Sequence, residues 1–330
     1  MKFARNKQLL SRLLIADGVG RAGKTLLCHI LTGFKNVEKL EYYYFLEHLS
    51  LAHYHKKISD DMAVTLIRTQ MDVQVFDQMN GRYINTRPDD YTGLNNYHSP
   101  NIYIERQNRE EHSQPDYVQH GNPNATSIID KIEKEKPIFL TFTHDLMSRP
   151  QVIFDSFGKK VSFVYINRLP VDLIHEWHTN GFGERIGTDA TEMQFTISYG
   201  SDSVPEYCHG WEQEYLDITP LERIIKIIYI CFKKNYEGLN KYKDKKQFIV
   251  IDFESLVTEP SKEINKISLF LNLKPLSIMS DILNENNCPR NINKEEYLRR
   301  NKYISNKIGT KYQKLLEETN LLHKKISAIS

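Results

Sequence analysis

Near the amino end the sequence reads Gly18-Val19-Gly20-Arg21-Ala22-Gly23-Lys24-Thr25, which fills every specified position of G-x-x-x-x-G-K-[ST]. Glycines at these places let the backbone turn tightly and aim successive N–H groups at one point. A helix starting there adds a partial positive charge, so the loop suits a phosphate. Lys24 adds a mobile ammonium and Thr25 a hydroxyl. A second reactive type stands at His144, the last residue of the apolar run PIFLTFTH (137–144). A histidine at the C-terminal end of a buried parallel strand lies where open α/β sheets build their sites, and its ordinary pKa suits proton transfer near neutrality. Asp145 follows it as a weaker candidate base.

Two chemistries share such a loop. A kinase or NTPase would hold magnesium with Thr25 and with an acidic residue ending another strand, for which QFIVIDFE offers Asp252 and Glu254. Transfer from a nucleotide with a single activated 5′-phosphate needs no metal, because cations and N–H donors can stabilise the charge on the leaving phosphate. The residues alone leave both open.

The loop requires a strand before it and a helix after it, and the pattern provides both. LLIADG (13–18) is a short apolar run closed by glycine, and KTLLCHILTGF (24–34) is helical. Helical periodicity continues over 41–57 and over 59–79, the latter opened by Ser59 as N-cap. Tyr42, Tyr43 and Tyr44 fall on helix and core positions in this reading. Further strands are predicted at 137–144, 160–167 and 247–253, and further helices at 171–181, 220–242 and 261–273. From Cys288 onward the chain is basic and helical in character. The alternation predicts an α/β fold, a central parallel sheet flanked by helices, as one domain over 1–330. The irregular polar stretches 86–125 and 182–218 are expected to be acceptor-binding loops.

Composition narrows the class. The chain has 330 residues, 40% hydrophobic and 26% charged, with a formal net charge of +2. That is ordinary for a globular protein and gives no global field for nucleic acid. The four cysteines, Cys28, Cys208, Cys231 and Cys288, are widely spaced, which suggests neither a disulfide framework nor a metal site and fits a cytoplasmic protein. The amino-terminal apolar run is too short for a signal sequence, and no stretch has the length of a membrane span.

Four segments in order resemble the sulfotransferases that use 3′-phosphoadenylyl sulfate (PAPS). Arg21 to Leu27 is similar to the family's R/K-S-G-T-T-L-L loop, with Lys24 in place of a threonine. Pro137 to His144 resembles the strand ending in T-H. Lys160 to Asp172 (KVSFVYINRLPVD) resembles K-x-I-Y-V-x-R-x-P-x-D. Phe253 to Pro260, with Phe270-Leu271-Asn272-Leu273 downstream, resembles Y-E-D-L-x-x-x-P…F-L-G-L. The resemblance implies a P-loop-like sulfotransferase fold, PAPS as donor, adenosine 3′,5′-bisphosphate (PAP) as product and no metal. It implies a carbohydrate or small-molecule hydroxyl as acceptor. It assigns His144, Arg21 and Lys24 to catalysis, and Gly20, Arg21, Ala22, Gly23, Lys24, Thr25, Leu26, Arg168 and Arg290 to the nucleotide. Arg168 would grip the 3′-phosphate, its bland alternative being an ion pair with Asp172. The sequence departs from the family at Glu176, where a serine is usual. That carboxylate is expected to turn away, with His175 and His178 as other donors. Phe142 stands where a lysine is common, and the R-K-G motif is missing, with Cys288-Pro289-Arg290 and Arg299-Arg300-Asn301-Lys302 in its region.

Overall fold

A computed structural model describes residues 1–82, 84–108 and 126–329. The first strand β1 (Arg12–Asp17) runs into helix α1 (Lys24–Thr32), then β2 (Val37–Glu41), α2 (Tyr44–Tyr54) and α3 (Asp60–Met79). Two helices, α4 (Pro100–Gln107) and α5 (Thr126–Glu135), precede β3 (Ile138–Phe142). There follow α6 (Gln151–Phe157), β4 (Val161–Asn167), α7 (Pro170–Thr179) and α8 (Phe182–Arg185). A small hairpin, β5 (Thr196–Tyr199) with β6 (Asp202–Pro205), leads through α9 (Glu212–Asp217) to the long α10 (Pro220–Tyr242). The chain closes with β7 (Phe248–Asp252), α11 (Phe253–Thr258), α12 (Pro260–Leu271), α13 (Met279–Glu285), α14 (Lys294–Ser305) and α15 (Thr310–Ser327).

The main sheet is parallel throughout, in the order β2-β3-β1-β4-β7. Its central strands are buried on both faces, which is why they read as continuous apolar runs: Leu13 to Ala16 are fully buried and all of β4 is buried. The chain leaves β1 toward β2 on one side, and leaves β4 toward β7 on the other. A crevice therefore opens at the C-terminal ends of β1 and β4, the switch point where such sheets bind ligands. The loop that follows β1 and Arg168 beyond β4 both end there.

The strands at 137–144, 160–167 and 247–253 fall where predicted, and Ser59 caps α3 through its hydroxyl, which accepts from Met62 N. The helix expected over 41–57 instead begins at Tyr44, behind an edge strand. That strand, VEKLE, has no apolar alternation to announce it, yet pairing with β3 buries its Glu38 and Lys39. Arg106 of α4 makes this possible by gripping both Glu38 oxygens, at 2.7 and 2.9 Å. The stretch 182–218, expected to be irregular, holds the β5–β6 hairpin and two short helices. In the stretch 86–125, α4 is ordered structure, and 109–125 lie outside the described residues. The four cysteines are buried and unpaired. Among the described residues no helix is long and apolar enough to cross a membrane.

Candidate active site

The loop after β1 has the backbone its sequence demands. Gly18 and Gly23 take φ of 150° and 101°, and a Cβ at either would lie 2.5 Å from Ile166 O or from the Phe253 ring. Trp177 of α7 donates its indole N–H to Gly20 O at 2.8 Å, fixing the top of the loop. Lys24, nearly buried at the start of α1, donates to Gly18 O and Val19 O at 2.9 and 2.8 Å. Burial pulls its ammonium below the ordinary value, against the opposing charges of Asp145, Asp17 and Glu47. Arg21 is exposed at the crevice and donates to Asn180 Oδ1 at 2.8 Å.

Beneath the loop Asp17 is fully buried, and burial together with neighbouring Asp145 pushes its carboxyl up to about 6. It accepts from Thr143 Oγ1 (2.9 Å), Leu146 N (3.0 Å) and Met147 N (2.7 Å), so the end of β1 is tied to the turn carrying His144.

His144 is set by two residues of the preceding strand–helix unit. Glu47 of α2 accepts from the His144 backbone N–H at 2.9 Å and lies 3.0 Å from Nδ1 through the same Oε1. Tyr42 OH also donates to that oxygen at 3.0 Å. A carboxylate only accepts, so Nδ1 carries the imidazole proton and Nε2 keeps its lone pair. Burial would raise the Glu47 pKa, but the charge and hydrogen bonds of His144, with Tyr42, hold it below the usual range. Burial, then Glu47, pushes the Tyr42 phenol well up, which keeps it a donor. Sequence reasoning missed both partners: Tyr42 passed for core, and Glu47 gave no signal beyond lying on a helix. Of the three tyrosines only Tyr43 is buried core, its hydroxyl donating to Gln78. Asp145, the weaker candidate base, is buried with φ 56° and accepts from Asn235 of α10 at 2.6 Å, so it is packed away from the crevice.

Arg168 stacks 4.6 Å over the Phe253 ring and donates to Arg21 O at 2.7 Å. Its expected rival contact is absent, since Asp172 pairs with Arg300 of α14 at 2.9 Å. Burial lowers the Arg168 pKa against Asp172, Glu176 and Glu254. Arg290 lies 5.9 Å from the same Phe253 ring, does not line the crevice, and donates to Asn286 O at 3.1 Å. Glu176 does not turn away. It lines the crevice together with Trp177. His178 contacts Tyr303 of α14, and neither it nor His175 lines the crevice.

The Asp252 carboxylate is engaged away from the loop. It sits on the edge strand β7, separated from β1 by β4, and accepts from Asn167 Nδ2 (3.1 Å) and Ser327 Oγ (2.7 Å) beneath α15. Its hydrogen bonds give it a structural part beneath α15, apart from the metal role considered for it.

The crevice has a volume of about 510 Å³. Gly20, Arg21, Gly23, Lys24 and Thr25 line it with His144, Glu47 and Arg168, whereas the side chains of Ala22 and Leu26 pack into the protein. Its aromatic lining includes Tyr44, Tyr91, Phe142 and Phe182, with Phe195 just ahead of the hairpin.

Residues 205–324 match the sulfotransferase domain family model, a stretch from β6 to α15 that excludes the phosphate loop and His144. A search of curated sequences found no match. Similar solved structures include the sulfotransferase domain of the Synechococcus PCC 7002 olefin synthase, at 11% identity and TM-score 0.46, over 98% of each chain. The sulfotransferase domain of the curacin biosynthetic pathway aligns at 11% identity and TM-score 0.44, over 83% of this chain and 77% of that one. Retinol dehydratase with androsterone and PAP aligns at 13% identity and TM-score 0.34, over 98% and 81%. The sulfotransferase domain match thus covers the carboxyl-terminal part of a chain whose parallel sheet carries the glycine-rich loop at its switch point.

Proposed function

We propose that this enzyme moves a sulfuryl group from PAPS to a hydroxyl of a carbohydrate or small-molecule acceptor, releasing PAP. The observation that carries the reading is the histidine with an assigned tautomer, His144 held by Glu47, in the same crevice as the phosphate loop.

The residues present fit the donor at its 5′ end. Successive backbone N–H groups at the start of α1, with Lys24 and Arg21, form a cationic cradle. At the 3′ end the buried Arg168 Nε lacks a partner, which suits an incoming phosphate, and Glu176 beside it opposes one. When bound, PAPS supplies an activated sulfuryl group on a good leaving phosphate. The protein's part is to hold and to move a proton. His144 Nε2 takes the proton from the acceptor hydroxyl, and Glu47 stabilises the imidazolium that forms. Lys24 and Arg21 offset the charge growing on the leaving side; losing one such donor typically slows a reaction by ~10²–10³.

The chain serves as one domain over 1–330 in this reading, with the acceptor bound by 182–218 and by the part of 86–125 that reaches the crevice at Tyr91. The test is thermal stabilisation by PAP with EDTA present, followed by transfer of labelled sulfuryl to an acceptor panel. Stabilisation by ATP only with magnesium, and none by PAP, would replace this reading with a kinase or NTPase.

A further inference from the structure

One charge on the acceptor side of the crevice has no role in the reaction described above. Arg149 follows the short turn Leu146–Ser148 that succeeds His144, and its side chain lines the crevice although only 9% exposed. Its Nε is buried without a partner. The nearest carboxylate oxygen, Glu206 Oε2, is 4.0 Å from Nη1, beyond hydrogen-bond reach, and the other Glu206 oxygen is 2.7 Å from His55 Nε2. A guanidinium with five donors in a fixed fork thus makes no hydrogen bond to any described residue. Burying such a group unsatisfied is unfavourable, and a planar oxyanion completes it in bidentate fashion.

We propose that Arg149 anchors a carboxylate on the acceptor, so that the substrate is a hydroxy acid rather than a neutral alcohol. This rests on the sulfotransfer reading. Arg149 and His144 flank one short turn, so the acid grips one end of the acceptor while its hydroxyl faces the base. Glu206 weakens the field of Arg149 but is engaged by His55, and it leaves the guanidinium donors unmet. The rings of Tyr42 and Phe142, stacked at 4.5 Å, and of Tyr91, 5.5 Å from Phe142, wall the same crevice and suit a flat or apolar body between the two polar ends.

The experiment is calorimetric binding of matched probes, with and without PAP. 3-(4-Hydroxyphenyl)propanoate, 12-hydroxydodecanoate and glucuronate are each compared with their primary amides. The wild-type protein is expected to bind at least one acid tenfold or more tighter than its amide. Arg149→Gln should erase that preference while PAP affinity and the melting temperature stay put. Arg149→Lys, which keeps the charge without the fork, should retain part of it and guards against a folding defect in the glutamine variant. Equal affinity of acid and amide across the panel, no binding of any acid, or an undiminished preference in Arg149→Gln overturns the proposal. Failure of the wild type to bind PAP sinks the sulfotransfer reading instead, because the acid preference of the nucleotide-free protein is read independently.

Discussion

Glu47→Gln is the sharpest perturbation the site offers, because it changes charge and hydrogen-bond sense with almost no change in shape. Glu47 Oε1 receives the His144 backbone N–H at 2.9 Å, Nδ1 at 3.0 Å and Tyr42 OH at 3.0 Å. A glutamine oxygen can still serve the backbone N–H, so the turn should stay folded. What vanishes is the negative charge beside the ring as the imidazolium forms. A hydrogen bond to a charged partner contributes about 1.5–3 kcal/mol, which converts to roughly ten- to a hundredfold in kcat. If the amide N–H₂ turns toward Nδ1, the ring takes the wrong tautomer and Nε2 can no longer accept a proton. The loss then reaches up to ~10⁴, the size seen for the analogous change in serine protease triads.

The assay is single-turnover sulfuryl transfer at saturating donor, with PAP affinity measured alongside. Tyr42→Phe provides the graded comparison: it removes one neutral donor and should cost only a few-fold, near 1 kcal/mol. The expected order of rates is therefore wild type, Tyr42→Phe, Glu47→Gln, then His144→Ala. A Glu47→Gln enzyme within threefold of wild type, beside an inactive His144→Ala, would refute the coupling of carboxylate and ring.

Other consequences follow from single residues. Arg168→Ala should weaken PAP far more than adenosine 5′-monophosphate in calorimetry, and equal losses for both would remove the 3′ role. Glu254 accepts from Leu169 N, and burial pushes its carboxyl up to about 7. A raised carboxyl pKa means that its stability contribution is full below the unfolded value and is lost as pH rises through 7. Glu254→Gln should accordingly unfold in urea with a free energy above wild type at pH 8 by at most about 3 kcal/mol, with the gap closing near pH 5. Asp252→Ala should lower unfolding free energy by about 1–3 kcal/mol through loss of its Ser327 and Asn167 bonds, with transfer unaffected by magnesium. Gly238→Ala would drive a Cβ into Met147 O across the α10 contact and should cost more than about 3 kcal/mol in urea unfolding.

How much of this was legible in the sequence depends on whether a residue acts locally or across the fold. The phosphate loop could be read because its chemistry is set by eight consecutive residues, and because β1 and α1 declare themselves by burial pattern and helix period. His144 and Arg168 could be placed because each ends an apolar run. Glu47 could not, since its meaning arises only when α2 packs beside the end of β3, 97 residues away in the chain. The edge strand β2 was invisible for a related reason: its buried Glu38 is completed by Arg106, 68 residues on, together with Tyr103, and its buried Lys39 pairs with Glu41. Asp252 misled in the opposite sense. It ends a strand as a metal ligand would, and only the sheet order and α15 show that it serves packing.

The buried carboxylates under the crevice explain why the loop and the base are best regarded as one device. Asp17 belongs to the strand that delivers the phosphate loop, yet all three of its hydrogen-bond donors, Thr143, Leu146 and Met147, come from the turn that carries His144. Asp145 N donates back to Gly18 O at 3.3 Å, and the Asp145 carboxylate is held by Asn235 of α10. Any shift of the loop relative to the base would break several of these bonds at once, inside a region where unmet donors are costly. The same two carboxylates oppose, without overcoming, the burial that lowers the Lys24 ammonium pKa. Transfer chemistry is sensitive to sub-ångström misplacement of base and leaving group. In the proposed reaction the acidic pair would act without touching the substrate, by holding the distance between His144 and the loop.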